Sequence, residues 1–287
     1  MTSRPALLLC TDMDRTLLPN GEALESPAAM PYLKKLVAYD DIQLAYVTGR
    51  DRDLVQQAIV DYLLPMPNYV IGDVGTSIYT IDDHGWRLWD DWHEEIANSW
   101  RGLSHDSLHD CLRDISSLRL QEDSKQNKFK LSYYAAGSID ANALQDTVRK
   151  RLQNLDLDCT IIWSIDESLD QGLLDILPAA ASKYHAVDYL LRQTGCGVDN
   201  TLFAGDSGND IDVLSSPLRA VLVANATNEV RQQAGMLARQ RGQLDALYLA
   251  RGGQLGMNGN YAAGILEGVV HYYPELLHRI LEENVPD

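Results

Sequence analysis

The chain has 287 residues and a net charge of −17 at pH 7, because 41 Asp and Glu side chains outnumber 24 Lys and Arg side chains. A field of this sign repels nucleic-acid backbones and anionic membrane surfaces, so we expect neither as a partner. The 4 cysteines are scattered along the chain, as is typical of free thiols in a reducing compartment. The sequence has no signal-peptide pattern and no apolar run near the roughly 20 residues that a membrane span needs, which predicts a cytoplasmic protein.

Four short apolar runs predict buried strands, because they are aliphatic or β-branched and do not alternate with polar residues. Polar or glycine-containing turns follow these runs, and after Val47 apolar residues recur at helical spacing. Such an alternation is typical of a parallel sheet covered by helices. The four predicted strands are Ala6–Cys10, Ile42–Val47, Thr201–Ala204 and Ala220–Val223.

The middle of the chain, residues 82–181, has a different pattern, with alternating strands around one helix. It predicts a small α+β domain inserted into a Rossmann-like α/β core with a parallel sheet, formed by residues 1–81 and 182–287. The predicted elements of the insertion are the strand Phe129–Ala135, the helix Asn142–Leu152 and the strands Cys159–Trp163 and Gly172–Leu177.

Two carboxylates follow the first predicted strand, in the string Asp12-Met13-Asp14-Arg15-Thr16. Ligands of open parallel sheets bind beyond the carboxyl ends of the strands. One carboxylate of such a pair can serve as nucleophile and metal ligand, and the other as proton donor and acceptor. Taken alone, the string also fits a strand end followed by a helix cap.

Two further groups point to an anion. Thr48 and Gly49 follow the second strand, where a hydroxyl, a glycine amide and a helix start can form an anion site, although the motif taken alone favours a plain helix cap. Lys183 falls in the first turn of a predicted helix, where its charge opposes the helix dipole. It is either a solvated surface lysine or a residue that faces an anion.

Oxygen ligands follow the third predicted strand, in Gly205-Asp206-Ser207-Gly208-Asn209-Asp210. Carboxylates at a glycine-containing strand end suit a hard cation such as Mg²⁺, and the alternative is an acidic turn. If the strands are neighbours, Asp12, Thr48 and Asp206 meet in one crevice and supply a nucleophile, a phosphate anchor and a metal ligand.

The four motifs DMDRT, TGR, Lys183 and GDSGND, in this order, resemble those of the haloacid dehalogenase superfamily of phosphohydrolases. The inserted domain is similar to a cap of that superfamily, and the strings KLSYY and GNYAAGILEGVVHY resemble the sucrose-phosphate phosphatase family. Arg15 departs from the pattern, because the family usually has Gly or Asn there. The resemblance implies that Asp12 is the nucleophile and that Asp14 is the general acid and base. It further implies that Asp12, Asp206 and the backbone carbonyl of Asp14 bind Mg²⁺, with Asn209 and Asp210 around these ligands. The phosphate would be bound by Thr48, Gly49 and Lys183.

The substrate is expected to be chosen by the cap, since the core chemistry is generic. Lys130 in KLSYY aligns with a cap lysine of the family, so we predict that it faces sugar hydroxyls; alternation alone fits an outward-facing lysine equally well. The expected substrate is a small sugar phosphate, with sucrose 6-phosphate first, and a sugar-phosphate synthase is a candidate partner. The alternatives are mannosylfructose, glucosylglycerol or mannosylglycerate phosphate, a phosphomutase, and a non-catalytic module that binds a sugar phosphate.

Overall fold

The predicted apolar runs form the strands of a large sheet in the computed structural model, which describes residues 5–166 and 169–282. Helices alternate with the first three strands, and an antiparallel hairpin follows. The strands β1 to β3 are buried along most of their length, as strands covered on both faces must be. The elements of this segment are β1 (Leu7–Thr11), α1 (Ala29–Val37), β2 (Ile42–Val47), α2 (Arg52–Asp61), β3 (Tyr69–Gly72), β4 (Ser77–Asp82) and β5 (Gly85–Leu88).

The next segment forms a unit of its own, Trp89–Ser182. A four-stranded antiparallel sheet, in the order β6-β7-β9-β8, is joined by three helices. Gly172 lies directly under Trp163, where an added Cβ would stand 2.1 Å from the indole, so only glycine fits. The elements are α3 (Asp90–Ala97), α4 (His105–Leu112), β6 (Arg119–Leu120), β7 (Leu131–Ala136), α5 (Ala141–Gln153), β8 (Cys159–Asp166) and β9 (Gln171–Pro178).

The chain then returns to the first unit, which comprises the described parts of Met1–Leu88 and Lys183–Asp287. This last segment adds three parallel strands and the helices that cover them. Its elements are α6 (Lys183–Thr194), β10 (Thr201–Gly205), α7 (Ile211–Leu214), β11 (Arg219–Leu222), α8 (Asn228–Gln240), β12 (Leu247–Leu249), α9 (Ala262–Tyr272) and α10 (Leu277–Leu281).

The strand order of the large sheet is β12-β11-β10-β1-β2-β3-β4-β5. The first six of these strands pair in parallel, and the hairpin β4–β5 adds two antiparallel strands at one edge. A buried apolar cluster lies between the sheet and the helices α1 and α9. The expectation of a Rossmann-like α/β fold with an inserted α+β domain is confirmed.

The unit boundaries differ from the sequence prediction by seven residues at the start of the inserted unit and by one at its end, which is Ser182. The prediction ended the core at residue 81, but Ile81 pairs with Trp86 across the hairpin. Strand β5 therefore belongs to the large sheet, and the first unit continues to Leu88 before the second begins at Trp89. Within the described ranges, no helix combines the length and the apolarity that crossing a bilayer requires.

Candidate active site

The three central strands bring the predicted residues to one edge of the sheet. β1 lies between β10 and β2, and Thr11 is level with Ala204 on one side and Tyr46 on the other. Asp12, Thr48 and Asp206 are each the first residue after these strands. Because parallel strands end at the same edge, side chains that are far apart in sequence meet there.

Three carboxylates form a buried acidic cluster at this edge. Asp12, Asp206 and Asp210 are at most 5% exposed, and one ligand oxygen of each lies within 4.8 Å of those of the other two. The Asp210 carboxylate accepts hydrogen bonds from the backbone N–H groups of Asp206 and Ser207, both at 3.1 Å. Thr16 donates its hydroxyl proton to Asp206 Oδ1 at 3.0 Å.

Gly205 is required by this arrangement. A Cβ at this position would lie 2.7 Å from the Asp210 carboxyl carbon, which is closer than any real contact. The glycine that ends β10 therefore lets Asp210 fold back against the strand.

Lys183 is buried among these acids and is no solvated surface lysine. Its Nζ donates to Asp12 Oδ1 at 2.9 Å, to Asp210 Oδ1 at 2.8 Å and to Asn209 Oδ1 at 3.2 Å. The side chain is 1% exposed. A cation in the first turn of α6 is thus stabilised by carboxylates, which offset its repulsion from the helix dipole.

The pKa values of two of these acids are raised, because their buried charges are only partly compensated by Lys183. Burial, the largest cause, raises the pKa of Asp12 to about 7, although the Lys183 charge acts in the opposite direction. Burial and then the Asp210 charge raise the pKa of Asp206 to about 6. Burial lowers the pKa of Lys183, but the attraction of Asp12 and Asp210 outweighs it and leaves that pKa above its ordinary value.

This donor set fits a hard divalent cation. It consists of three buried carboxylates that lie within reach of one ion and that share, among the described residues, a single buried ammonium. Carboxylate oxygens are the ligands that Mg²⁺ prefers, and two added positive charges would stabilise the ionised forms that burial, and then the neighbouring acids, disfavour.

Arg15 is a second cation beside the cluster. Its Nε lies 3.4 Å from Asp206 Oδ2, and its side chain is 54% exposed. The residue has a φ of 56°, in the left-handed region that glycine and asparagine tolerate best. The backbone conformation thus explains why Gly or Asn is expected at this position, and Arg15 is the departure from it.

The Asp14 side chain lies outside the acidic cluster. Arg50 donates Nε to its Oδ2 at 2.8 Å and Nη2 to its Oδ1 at 2.7 Å, and Asn20 donates to Oδ1 at 2.7 Å. Burial acts to raise the pKa of Asp14, but the Arg50 hydrogen bonds and charge outweigh it, so the pKa is lowered. Sequence reasoning gave Arg50 and Asn20 no role. The signal for Arg50 was its place in TGR, at a strand end beside that of Asp12.

Thr48 and Gly49 lie at the end of β2. The Thr48 hydroxyl is buried and accepts the backbone N–H of Arg50 at 3.2 Å. The helix α2 is capped by Asp51, which accepts the N–H of Leu54 at 2.9 Å. Thr48 is therefore not the cap of α2, which removes the main alternative to an anion-binding role.

Lys130 belongs to the second unit, just before β7. Its backbone pairs with Asn127 in an isolated bridge, and the residue is 7% exposed. The alternative of an outward-facing strand lysine is therefore wrong, and the contact with sugar stays a prediction.

Known proteins resemble this chain along almost its whole length. The model of the family described as Sucrose-6F-phosphate phosphohydrolase matches residues 5–273. A HAD-like hydrolase of Nitrosococcus oceani is 50% identical over 270 residues, which cover 94% of this chain and 72% of that protein. Sucrose-phosphatase 2 of Nicotiana tabacum is 30% identical over 242 residues, which cover 81% of this chain and 53% of that enzyme, so the chain spans about half its length.

Two further comparisons bear on the sugar. Mannosylfructose-phosphate phosphatase of Agrobacterium fabrum is 29% identical over 239 residues, which cover 79% of this chain and 86% of that enzyme. The X-ray structure of the sucrose-phosphatase of Synechocystis sp. in complex with sucrose and phosphate has a TM-score of 0.72 at 25% identity and covers 93% of this chain and 98% of that one. These matches confirm the resemblance inferred from the motifs, and the chain belongs to the sucrose-6F-phosphate phosphohydrolase family within the haloacid dehalogenase superfamily.

Proposed function

We propose that this chain is a Mg²⁺-dependent phosphatase that hydrolyses a sugar phosphate through an aspartyl-phosphate on Asp12. The observation that carries the proposal is the buried Asp12 carboxylate, which shares the Lys183 ammonium with Asp210 at the carboxyl edge of the parallel sheet. A carboxylate that attacks a phosphate dianion must overcome mutual repulsion, and a buried cation at 2.9 Å from the nucleophile reduces it.

In the first step an Asp12 oxygen forms a bond to phosphorus while the ester P–O bond breaks. Asp14 gives its proton to the departing sugar oxygen, so this step requires the protonated form of Asp14 even though Arg50 lowers its pKa. In the second step Asp14 takes a proton from water, the water oxygen bonds to phosphorus, and the bond to Asp12 breaks. Phosphate leaves and both carboxyl groups return to their starting states. Thr48, the Gly49 amide and Lys183 bind the phosphoryl oxygens.

The carboxylates of Asp12 and Asp206 and the backbone carbonyl of Asp14 would hold Mg²⁺, and Asn209 and Asp210 would orient these ligands or bound water. When bound, the ion neutralises charge on the phosphoryl group and on the acids around it. Asp210 is already fixed by two backbone N–H groups and Lys183, so it can orient neighbours without moving.

The substrate that we propose first is sucrose 6-phosphate. Membership of the family and the likeness to a structure that holds sucrose and phosphate support it. The Agrobacterium relative makes mannosylfructose phosphate the strongest alternative, ahead of glucosylglycerol and mannosylglycerate phosphates. We assign the choice of sugar to the second unit, with Lys130 as the candidate contact. The cytoplasm as the site of action and a sugar-phosphate synthase as a partner belong to the same proposal.

A non-catalytic module is the candidate from another class. Modules of that kind dispense with the nucleophile or the proton donor, whereas this chain has Asp12, Asp14, Lys183, Asp206 and Asp210. The complete set favours catalysis.

The test is phosphate release from the four sugar phosphates and from p-nitrophenyl phosphate, with Mg²⁺ and with EDTA. We expect kcat/KM to be highest for sucrose 6-phosphate, and EDTA and Asp12→Asn to abolish release. The matched control is Asp146→Asn, which removes an exposed carboxylate paired with Arg149 on its own helix and should leave turnover unchanged. Full turnover by Asp12→Asn would refute the nucleophile, and a higher kcat/KM for another ester would refute the sugar.

A further inference from the structure

The carboxylate of Asp14 is fixed by several hydrogen bonds, although its side chain is partly exposed to solvent. Arg50 and Asn20 give it three, at 2.7 to 2.8 Å, although the Asp14 side chain is 43% exposed. Asn20 is also tied to the backbone of the same loop, because its Oδ1 accepts the N–H of Arg15 at 2.8 Å. One asparagine thus fixes both the carboxylate and the residue that follows it.

Arg50 is itself rigidly placed. Its N–H donates to Thr48 Oγ1 at 3.2 Å, and its carbonyl accepts the N–H of Asp73 at 2.9 Å. Its Nη1 reaches the carbonyl of Leu54, in the first turn of α2, at 3.4 Å. The guanidinium therefore starts from a backbone fixed between β2 and the loop after β3, and it meets Asp14 with two parallel hydrogen bonds.

A two-pronged pair of this kind fixes the plane of a carboxylate, which a lysine cannot do. Among the described residues, Asp14 Oδ1 accepts two hydrogen bonds and Oδ2 accepts one. Oδ2 is therefore the oxygen with room for a further partner. A general acid works only when it stands within hydrogen-bond reach of the atom that it protonates, so fixing this plane has a direct effect on proton transfer.

We infer that Arg50 and Asn20 are positioning residues that aim Oδ2 of Asp14 at the leaving oxygen of the substrate. The inference rests on the proposed function, and it concerns the first step. There the ester P–O bond breaks, the bond from Asp12 to phosphorus forms, and the Asp14 proton passes to the departing oxygen. Arg50 acts through Asp14 and needs no contact with the phosphoryl group.

The first test uses the leaving group. Phenyl phosphate and p-nitrophenyl phosphate have nearly the same shape, but p-nitrophenolate leaves easily without a proton. We expect Arg50→Ala to lower kcat/KM for phenyl phosphate and sucrose 6-phosphate about 100-fold, and for p-nitrophenyl phosphate less than about 3-fold. The value of kcat/KM depends only on the steps up to formation of the phosphoenzyme. The later attack of water therefore does not affect the comparison between the two aryl esters. Equal losses on both aryl esters would overturn the inference.

The second test is a double-mutant cycle with Asp14→Asn. If Arg50 acts through Asp14, adding Arg50→Ala to Asp14→Asn should change kcat/KM for sucrose 6-phosphate by less than about 3-fold. A further loss of the size seen in the single variant would show that Arg50 binds substrate directly, which would overturn the inference. Arg50→Lys should restore little activity, because one ammonium cannot form both hydrogen bonds.

The controls separate folding from positioning. Arg52→Ala removes an exposed arginine from the first turn of α2, where its guanidinium lies over Trp86, and should leave all rates unchanged. If Arg50→Ala does not fold, as judged by circular dichroism, Asn20→Ala in the exposed loop carries both tests, with an expected loss of about 10-fold that depends on the leaving group in the same way. Activity in the wild-type chain combined with equal losses on the aryl esters refutes this inference alone. A wild-type chain that releases no phosphate from any ester refutes the proposed function and the inference with it.

Discussion

Replacing Lys183 by methionine should be the most destabilising single change at the candidate site. The substitution removes an ammonium that lies between Asp12 Oδ1 and Asp210 Oδ1, at 2.9 and 2.8 Å, and keeps a side chain of similar length. Both carboxylates stay buried, at 5% and 0% exposure, and lose their only buried cationic partner among the described residues. Removing one member of a buried pair costs far more than the pair contributes, because the remaining charge is uncompensated.

The magnitude follows from that geometry. Breaking a buried ion pair costs about 3–5 kcal/mol. For a unit of about 200 residues, one kcal/mol corresponds to roughly 2–4 °C, so Tm should fall by about 6–20 °C in EDTA. The pKa of Lys183 is raised above its ordinary 10.5, so the lysine is charged throughout pH 6–9 and its contribution is constant there. The charge of Asp12, in contrast, changes in this range: its pKa is about 7, so it takes up a proton as the pH falls. The loss of stability caused by Lys183→Met should therefore be larger at pH 8 than at pH 6.

Differential scanning calorimetry at both pH values, in EDTA and in Mg²⁺, measures these losses. Mg²⁺ should recover part of the stability of the variant, because the ion replaces some of the missing positive charge. Lys150→Met, at an exposed position on α5, is the control and should change the free energy of unfolding by less than about 0.5 kcal/mol. A Lys183→Met variant that loses less than about 1 kcal/mol at pH 8 in EDTA would refute the reasoning, since that is the size of a surface pair.

Three further predictions concern the metal site, the loop beside it and a buried carboxylate on α9. The gain in Tm from Mg²⁺ should be larger at pH 8 than at pH 5.5. Without metal, the folded-state pKa values of Asp12 and Asp206 are about 7 and about 6, so at pH 5.5 protons must leave these acids before the ion binds. Equal gains at the two pH values would contradict this. Arg15→Gly should bind Mg²⁺ about two- to five-fold more tightly in a calorimetric titration, because a cation 3.4 Å from Asp206 is removed; weaker binding would show that Arg15 assists the ion. Glu267→Gln should lower the free energy of unfolding, measured in urea, by about 1–3 kcal/mol. The buried Glu267 carboxylate accepts hydrogen bonds from the Tyr248 hydroxyl and from the N–H groups of Arg251 and Gly252, and the NH₂ group of a glutamine would face one of these donors. A change below about 0.5 kcal/mol would argue against that role.

The parallel strands could be predicted closely because nothing in them competes with burial. Ile42–Val47 was predicted to the residue, since an uninterrupted apolar run bounded by polar residues has few other interpretations. The hairpin β4–β5 was missed because its second strand is only half-buried and includes a charged side chain. Such strands lack the apolar signal, and their place at the sheet edge depends on pairing with β3, which local patterns do not encode.

The site residues also fall into two classes: those that the local sequence indicates and those that only the fold brings together. The carboxylates stood at strand ends, where fold rules alone indicate a crevice. The burial of Lys183 could not be predicted from its neighbours in sequence, because its partner Asp12 is 171 positions away. The pairing of Arg50 with Asp14 spans 36 positions and depends on the adjacency of β1 and β2, so a motif of three letters does not contain it.

The pairing of β1 with β10 governs when the site can form during synthesis. The Thr16–Asp206 hydrogen bond joins residues 190 positions apart, and β1 lacks one of its two neighbouring strands until residues 201–205 have left the ribosome. Contacts of such long sequence separation form late, after the intervening chain has been made. The mutually repelling acids of the nascent chain are therefore brought together only after the whole inserted unit has been translated, so the acidic cluster cannot assemble on the N-terminal segment alone.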